Sequence, residues 1–135
     1  MTHDEYGRLL NLLLECERAG ARLLAAYCAE LPPESEFHAR LSLVQRDEAR
    51  NCAVLIHLLL EAGLEPSTAV GSFYAKGLQI RGWRERLEFL NRGQQWVADH
   101  IARELPRMTR QLGKKSLQAM HESHVANIRL CEARS

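Results

Sequence analysis

Polar side chains interrupt the hydrophobic repeat in four helical segments of this chain, which leaves few ways for those segments to pack. The spacing of the apolar residues predicts long helices over residues 4–29, 36–62, 83–105 and 115–131. The polar residues at their inward positions are Glu17, Glu48, Asn51, Gln94, His121 and His124. Such groups are costly to bury unless they hydrogen-bond one another or hold a metal. We therefore expect an all-α fold in which one polar layer crosses the core.

The distances of these residues from the predicted turns favour a single layer. Side chains on antiparallel neighbours lie at one depth when they are equally far from the turn that joins them. Glu17 and Glu48 have their midpoint at Pro32–Pro33, where the first helix must end because a residue before proline avoids helical geometry. The inward polar residues of the last two helices have their midpoint just past Pro106. The same rule therefore brings the polar residues of all four helices to about the same level.

Residues 63–82 form the one long connection between the predicted helices. They contain four glycines and one proline, and only one helical turn is expected in them. An extended chain covers up to ~3.3 Å per residue, so this connection can cross the full length of a helix of ~40 Å. Ser35 is suited to cap the second helix, and Gly63 to end it. Gly20 and Gly93, inside helices, allow close helix approach or leave room for a small ligand.

The composition restricts the class of protein and its partners. The length of 135 residues suits a single domain, which we place over residues 1–135. The formal net charge of +1 leaves no basic surface for nucleic acid, and no apolar run is long enough to span a membrane. The four cysteines lie singly in helices, without a C-x-x-C pair, and are expected to be reduced. The first residues read as a helix start rather than a signal peptide, which predicts a cytoplasmic protein.

The order of the polar residues resembles that of the ferritin-like superfamily, the di-iron carboxylate four-helix bundles. Those proteins place a Glu on helix 1, Glu-x-x-His on helix 2, a Glu on helix 3 and Glu-x-x-His on helix 4, with a long crossover between helices 2 and 3. The corresponding residues here are Glu17, then Glu48-Ala-Arg-Asn51, then Gln94, then His121-Glu-Ser-His124. The phrases LLLECERAGARLLAAY, RDEARNC and LNRGQQW further resemble a small group of bacterial ferritin-like domains of unassigned function. The resemblance implies a four-helix bundle with that crossover, and commonly a homodimer.

Three positions depart from the superfamily pattern. Asn51 replaces a His, while Gln94 and His121 each replace a Glu, so only two of the four carboxylates remain. Two cations need more negative charge than that, and a di-iron centre is not expected. The remaining donors still suit one divalent ion of iron, zinc or manganese. The expected ligands are Glu17, Glu48, His121 and His124. Asn51 and Gln94 are neutral amides, and they would then orient these ligands by hydrogen bonds from outside the coordination sphere.

The same residues also permit a layer without metal. Two acids, two amides and two imidazoles can satisfy one another, and would then fix the register of the helices. With metal, the protein is a metal-binding bundle, for which neither catalysis nor a small-molecule substrate is specified by the sequence. Without metal, it is a helical dimer or partner-docking protein, and leucines on the outer faces of the first two helices would form a surface patch. The leucines that would form this patch are Leu9, Leu12, Leu23, Leu59 and Leu60.

Overall fold

A computed structural model describes residues 1–132, and all the regular structure in them is helical. The five α-helices are α1 (His3–Ala29), α2 (Glu36–Glu61), α3 (Phe73–Leu78), α4 (Trp83–Glu104) and α5 (Gln111–Glu132). No strand occurs in that range, which confirms the all-α prediction. None of these helices is both long enough and apolar enough to cross a membrane. The last three residues of the predicted domain, 133–135, lie outside the described part of the chain.

Local signals fix the ends of α1 and α2. Thr2 and Glu5 form a capping box, in which the Glu5 N–H donates to Thr2 Oγ1 (3.1 Å) and the Thr2 N–H donates to Glu5 Oε1 (2.8 Å). Ser35 caps α2, as the sequence predicts, by accepting a hydrogen bond of 3.1 Å from the His38 N–H. Gly63 follows the end of α2 with a φ of +73°, a conformation that costs glycine nothing because it has no Cβ.

The junction of α4 and α5 differs from the prediction. Leu105–Arg107 form a short 3-10 turn, and α5 begins at Gln111 rather than at residue 115. Gly113 lies inside α5 rather than before it. A Cβ at this position would overlap the hydroxyl of Tyr6, so the glycine leaves room for the side chain that Tyr6 extends from α1. Tertiary packing therefore outweighs the unfavourable helix propensity of glycine, which is about 1 kcal/mol.

The long helices pack around two apolar clusters. α1 packs along α2 and α4 along α5, while contacts between α2 and α5 and between α1 and α4 join the two pairs. The first cluster includes Leu10, Leu14, Leu55, Ile101, Leu117 and Met120. The second includes Leu24, Tyr27, Leu41, Val44, Leu87 and Cys131. On each long helix the inward polar residues stand between members of the two clusters, so the polar residues form one layer across the core.

Polar contacts hold the connection between α2 and α4 against α1. Arg18 donates to the carbonyl oxygens of Ser67 (3.1 Å) and Ala69 (2.7 Å). The N–H of Gly71 donates to the carbonyl oxygen of Glu15 at 3.3 Å. The helical turn predicted within this connection is α3. The connection therefore follows a fixed path beside the part of α1 that carries the polar layer.

The outer leucines do not form one contiguous surface patch. Leu9, Leu23 and Leu59 are buried, with exposed fractions of 6%, 0% and 0%. Leu23 lies under α3, so close that a Cβ on Gly77 would overlap its side chain. The docking alternative therefore lacks the support that such a patch would have given it.

Candidate functional site

Six buried polar side chains, drawn from all four long helices, form the polar layer. They are Glu17 on α1, Glu48 and Asn51 on α2, Gln94 on α4, and His124 and Asn127 on α5. The most exposed of them, Asn51, is only 7% exposed. A polar atom that loses its contact with water at such a position must find a partner inside the protein or carry a desolvation cost.

Glu17 joins three helices at the centre of the polar layer. His124 Nε2 lies 2.5 Å from Glu17 Oε1, and Asn51 Nδ2 donates to the same oxygen at 3.2 Å. Both side chains of the Glu17–His124 pair are 1% exposed, so water does not screen their interaction. These bonds link α1 to α2 and α5 at one level.

Glu48 is buried beside this pair and accepts no hydrogen bond at Oε2. Its carboxylate packs against the backbone of Gly20, where a Cβ would overlap it. Burial, together with the negative charges of Glu17 and Asp47, raises the pKa of the Glu48 carboxyl well above its ordinary value of 4.5. Glu48 therefore tends to hold its proton when no cation is near.

Gln94 extends the polar layer toward α5. Its Nε2 donates to Asn91 Oδ1 at 3.3 Å and to Cys131 Sγ at 3.8 Å, while its Oε1 has no partner. Burial raises the pKa of the Cys131 thiol to about 12, so this sulfur is a neutral acceptor rather than a thiolate. The amide is thus held by its nitrogen, and its oxygen remains free for another donor.

The polar layer contains more acceptors than donors. Three buried oxygens on three different helices have no hydrogen-bond partner among the described residues: Glu17 Oε2, Glu48 Oε2 and Gln94 Oε1. Two nitrogens, His124 Nδ1 and Asn127 Nδ2, are also unpaired. An unsatisfied buried polar group costs about 1–3 kcal/mol, so this excess of oxygens would be relieved by protons, a cation or a ligand that donates hydrogen bonds.

A cavity of about 390 Å³ lies beside the polar layer, bordered by α1, α2, α4 and the connection that precedes α3. The polar side chains among its lining residues are Glu15, Glu48, Ser72 and Gln94. Its apolar walls include Leu12, Cys16, Phe73, Leu90, Trp96 and Val97. Gly93 makes room for the Phe73 ring, which occupies the space that a Cβ would need. We call this space the core cavity.

Comparison with protein families gives a match that covers nearly the whole chain. Residues 4–133 match the model described as "Domain of unknown function (DUF6306)". The chain belongs to the DUF6306 family. Comparison with curated proteins and with solved structures gave no significant match. The family description carries no activity, so the function of this DUF6306 protein is argued below from its own residues.

The structure brings five of the six predicted site residues of this DUF6306 protein into the polar layer, but not His121. The buried positions of α5 are Gly113, Leu117, Met120, His124, Asn127 and Cys131. The expectation that His121 lies inward is a register error, because α5 is turned so that Met120 enters the first apolar cluster and His121 is only half-buried. Over residues 1–132, no three His, Cys, Asp or Glu side chains stand in a group that could hold a metal.

Asn127 belongs to the polar layer, although it was not among the predicted site residues. Asn127 is 3% exposed and follows His124 by one helical turn. A repeat that runs from Leu117 through Met120 to His124 would have included it, since steps of three and four residues keep to one face. The choice of His121 over Met120 as the inward residue removed this signal.

The cysteines near the polar layer are free and protonated thiols. All four cysteines of the chain are free. Burial raises the pKa of Cys16 and that of Cys52 to about 11, with a further contribution from Glu17. Neither thiol is therefore suited to act as a nucleophile or as a ready thiolate ligand at neutral pH.

Proposed function

We propose that this protein is a four-helix bundle with ferritin-like connectivity whose polar layer holds one divalent metal ion. The observation that carries the proposal is the set of three buried oxygens without donors, on α1, α2 and α4. The long connection between α2 and α4 and the order of the polar residues along the chain support the ferritin-like interpretation.

The chemistry of the remaining donors fits one dication better than two. Glu17 and Glu48 supply two negative charges, which neutralise one divalent ion, and no other acid is buried among residues 1–132. His124 supplies an imidazole and Gln94 a neutral amide oxygen. Oxygen and imidazole donors suit iron, manganese and zinc. When bound, such an ion supplies the activation of a water, dioxygen or peroxide.

Metal binding requires the side chains to rearrange. His124 is bonded directly to Glu17, and the described residues hold no preassembled three-ligand group. The imidazole must therefore turn away from Glu17 Oε1, and Glu48 must release its proton as the ion enters. Because the ion competes with that proton, its affinity should increase with pH.

Elemental analysis of protein purified without a polyhistidine tag or chelator tests this proposal. We expect about one iron, manganese or zinc per chain in the unaltered protein, and strong loss of metal in Glu48→Gln and in His124→Ala. His121→Ala is the matched control, because this half-buried residue lies outside the polar layer, and it should keep its metal.

Three results would contradict the proposed site. No metal after reconstitution with each ion would leave the polar layer as a purely structural device. Retention of metal in both Glu48→Gln and His124→Ala would place the ion elsewhere. About two irons per chain would mean that a di-iron centre survives despite the missing carboxylates.

A metal-free role is the second candidate, and the Glu17–His124–Asn51 contacts favour it. These three side chains already bond one another across three helices. In that case the polar layer fixes the helix register, and the protein acts as a homodimer or docks a partner. Light scattering of the metal-free protein would show a dimer whose stability does not depend on added metal.

A further inference from the structure

We propose that the core cavity binds a small neutral molecule that has an apolar body and one hydroxyl group. The inference needs no bound metal, although it uses Glu48 and Gln94, which the metal proposal also uses, because it rests on the shape of the cavity and on these two lining residues. It assigns this bundle a binding function that needs no preassembled metal site.

The size and the walls of the core cavity suit a compact apolar molecule. Its volume of about 390 Å³ lies within the range of about 300–1,000 Å³ that is typical of ligand pockets. The walls are mainly carbon, with Leu90 and Val97 on α4 and Phe73 from α3. An ordered water molecule needs two to four polar partners, and the apolar walls offer few of them. An apolar body would therefore fill most of the cavity better than solvent.

Two residues that line the core cavity specify the functional group of the ligand. Glu48 and Gln94 are 6% and 4% exposed, and each has a partnerless oxygen that is itself closed to solvent, so the side chain must turn for this oxygen to meet a ligand. The Gln94 oxygen is an acceptor and needs a donor. A hydroxyl can donate to Gln94 Oε1 and can also donate to, or accept from, the Glu48 carboxyl. A hydroxyl group is therefore matched to this pair of side chains more completely than a group that only donates or only accepts.

Two glycines border the core cavity at positions where a larger residue would collide with its neighbours. Gly20 and Gly93 border it on α1 and α4, where larger residues would collide with Glu48 and with Phe73. Phe73 is held in turn by stacking on Phe89 at a ring distance of 4.3 Å. Trp96, which is 47% exposed, lies at the outer side of the cavity.

A pair of probes that differ in one hydroxyl tests the proposal. We would measure the affinities of benzyl alcohol and toluene by NMR titration of the full chain in the presence of a chelator. Benzyl alcohol should bind at least tenfold more tightly than toluene, since its hydroxyl donates to a buried oxygen that otherwise has no donor. The chemical-shift changes should fall on the residues that line the core cavity.

The variants Gln94→Leu and Gln95→Leu provide the decisive comparison. Gln94→Leu keeps the approximate volume of the side chain and removes the acceptor, so it should bind toluene as before and lose the preference for benzyl alcohol. Gln95→Leu makes the same change on an exposed residue and should behave as the unaltered protein. Cys16→Phe fills the cavity and should abolish the binding of both probes.

Several outcomes would overturn the inference. No binding of either probe, an unchanged preference in Gln94→Leu, or shift changes away from the cavity would each refute it. Tighter binding of benzylamine than of benzyl alcohol would show that the cavity prefers a cationic ligand, contrary to the proposal. Because all measurements use metal-free protein, a failure here is distinct from a failure to find metal by elemental analysis.

Discussion

At the residue scale, the centre of the molecule depends on the fit between Glu48 and Gly20. The carboxyl of Glu48 is buried without a donor to Oε2, and it occupies the space that any side chain at position 20 would take. An acid in such a place is stable mainly as the neutral form. Glu48 therefore lowers the stability of the metal-free protein at neutral pH. Such a loss of stability is typical of a group that is retained for binding.

The titration of Glu48 should make the metal-free protein less stable as pH rises. Because the folded state raises the pKa of this carboxyl above 4.5, its contribution to stability is full below pH 4.5 and is lost as pH rises through the folded value. Glu48→Gln cannot titrate, so it should match the unaltered protein at pH 4 and exceed it increasingly at higher pH. Thermal unfolding in the presence of a chelator measures this difference.

The matched control for this titration is Glu122→Gln, since Glu122 lies exposed on α5. This variant should follow the pH dependence of the unaltered protein. A Glu48→Gln variant that is less stable than the unaltered protein at pH 7 would show that the carboxylate makes favourable contacts when it is ionised.

The effect of Gly20→Ala should change sign with the residue at position 48. Alanine normally stabilises a helix relative to glycine by up to about 1 kcal/mol. Here the methyl group overlaps the Glu48 carboxylate, and we expect a loss of about 1–3 kcal/mol in the free energy of unfolding. In a Glu48→Ala background the same substitution should be neutral or stabilising. Urea denaturation of the four proteins of this cycle measures the coupling, and an additive cycle would refute the contact.

At the element scale, the start of α4 is positioned by Arg86 rather than by a local cap. The N-cap residue of α4 is Gly82, which has no side chain to cap it. Arg86 is 7% exposed, donates to the Ile80 carbonyl oxygen at 2.9 Å and pairs with Glu30 through both guanidinium nitrogens at 3.1 and 3.2 Å. Its guanidinium also lies 4.6 Å from the ring centre of Trp83. One side chain thus fixes the end of the connection and the beginning of α4 against α1.

Arg86→Ala should destabilise the fold by about 2 kcal/mol, because it removes charge-assisted hydrogen bonds from a buried position. Arg84→Ala is the control. It breaks an exposed pair with Glu88, whose members are 85% and 56% exposed, and should cost about 0.5 kcal/mol or less. Chemical denaturation of both variants gives the comparison. Equal effects would mean that the buried position of Arg86 adds nothing.

At the scale of the whole molecule, the polar layer divides the core into two apolar clusters, and the core cavity lies at that division. The clusters give the four long helices their hydrophobic stabilisation. The polar layer contributes specificity of register, since a shifted helix would bury its polar group among leucines. Both proposed binding functions use Glu48 and Gln94, which belong to the polar layer and to the wall of the cavity at once.

The helical class, the extents of α1, α2 and α4, the caps at Ser35 and Gly63, and a polar layer at one level of the core are all predictable from the sequence. These features follow from the 3.6-residue period and from local backbone chemistry, which act within a few residues of each other. Which side of α5 faces inward depends on tertiary packing, because the rotation of a helix about its axis is set by its neighbours. For the same reason tertiary packing alone could place Met120 rather than His121 in the core, and open a cavity beside Glu48.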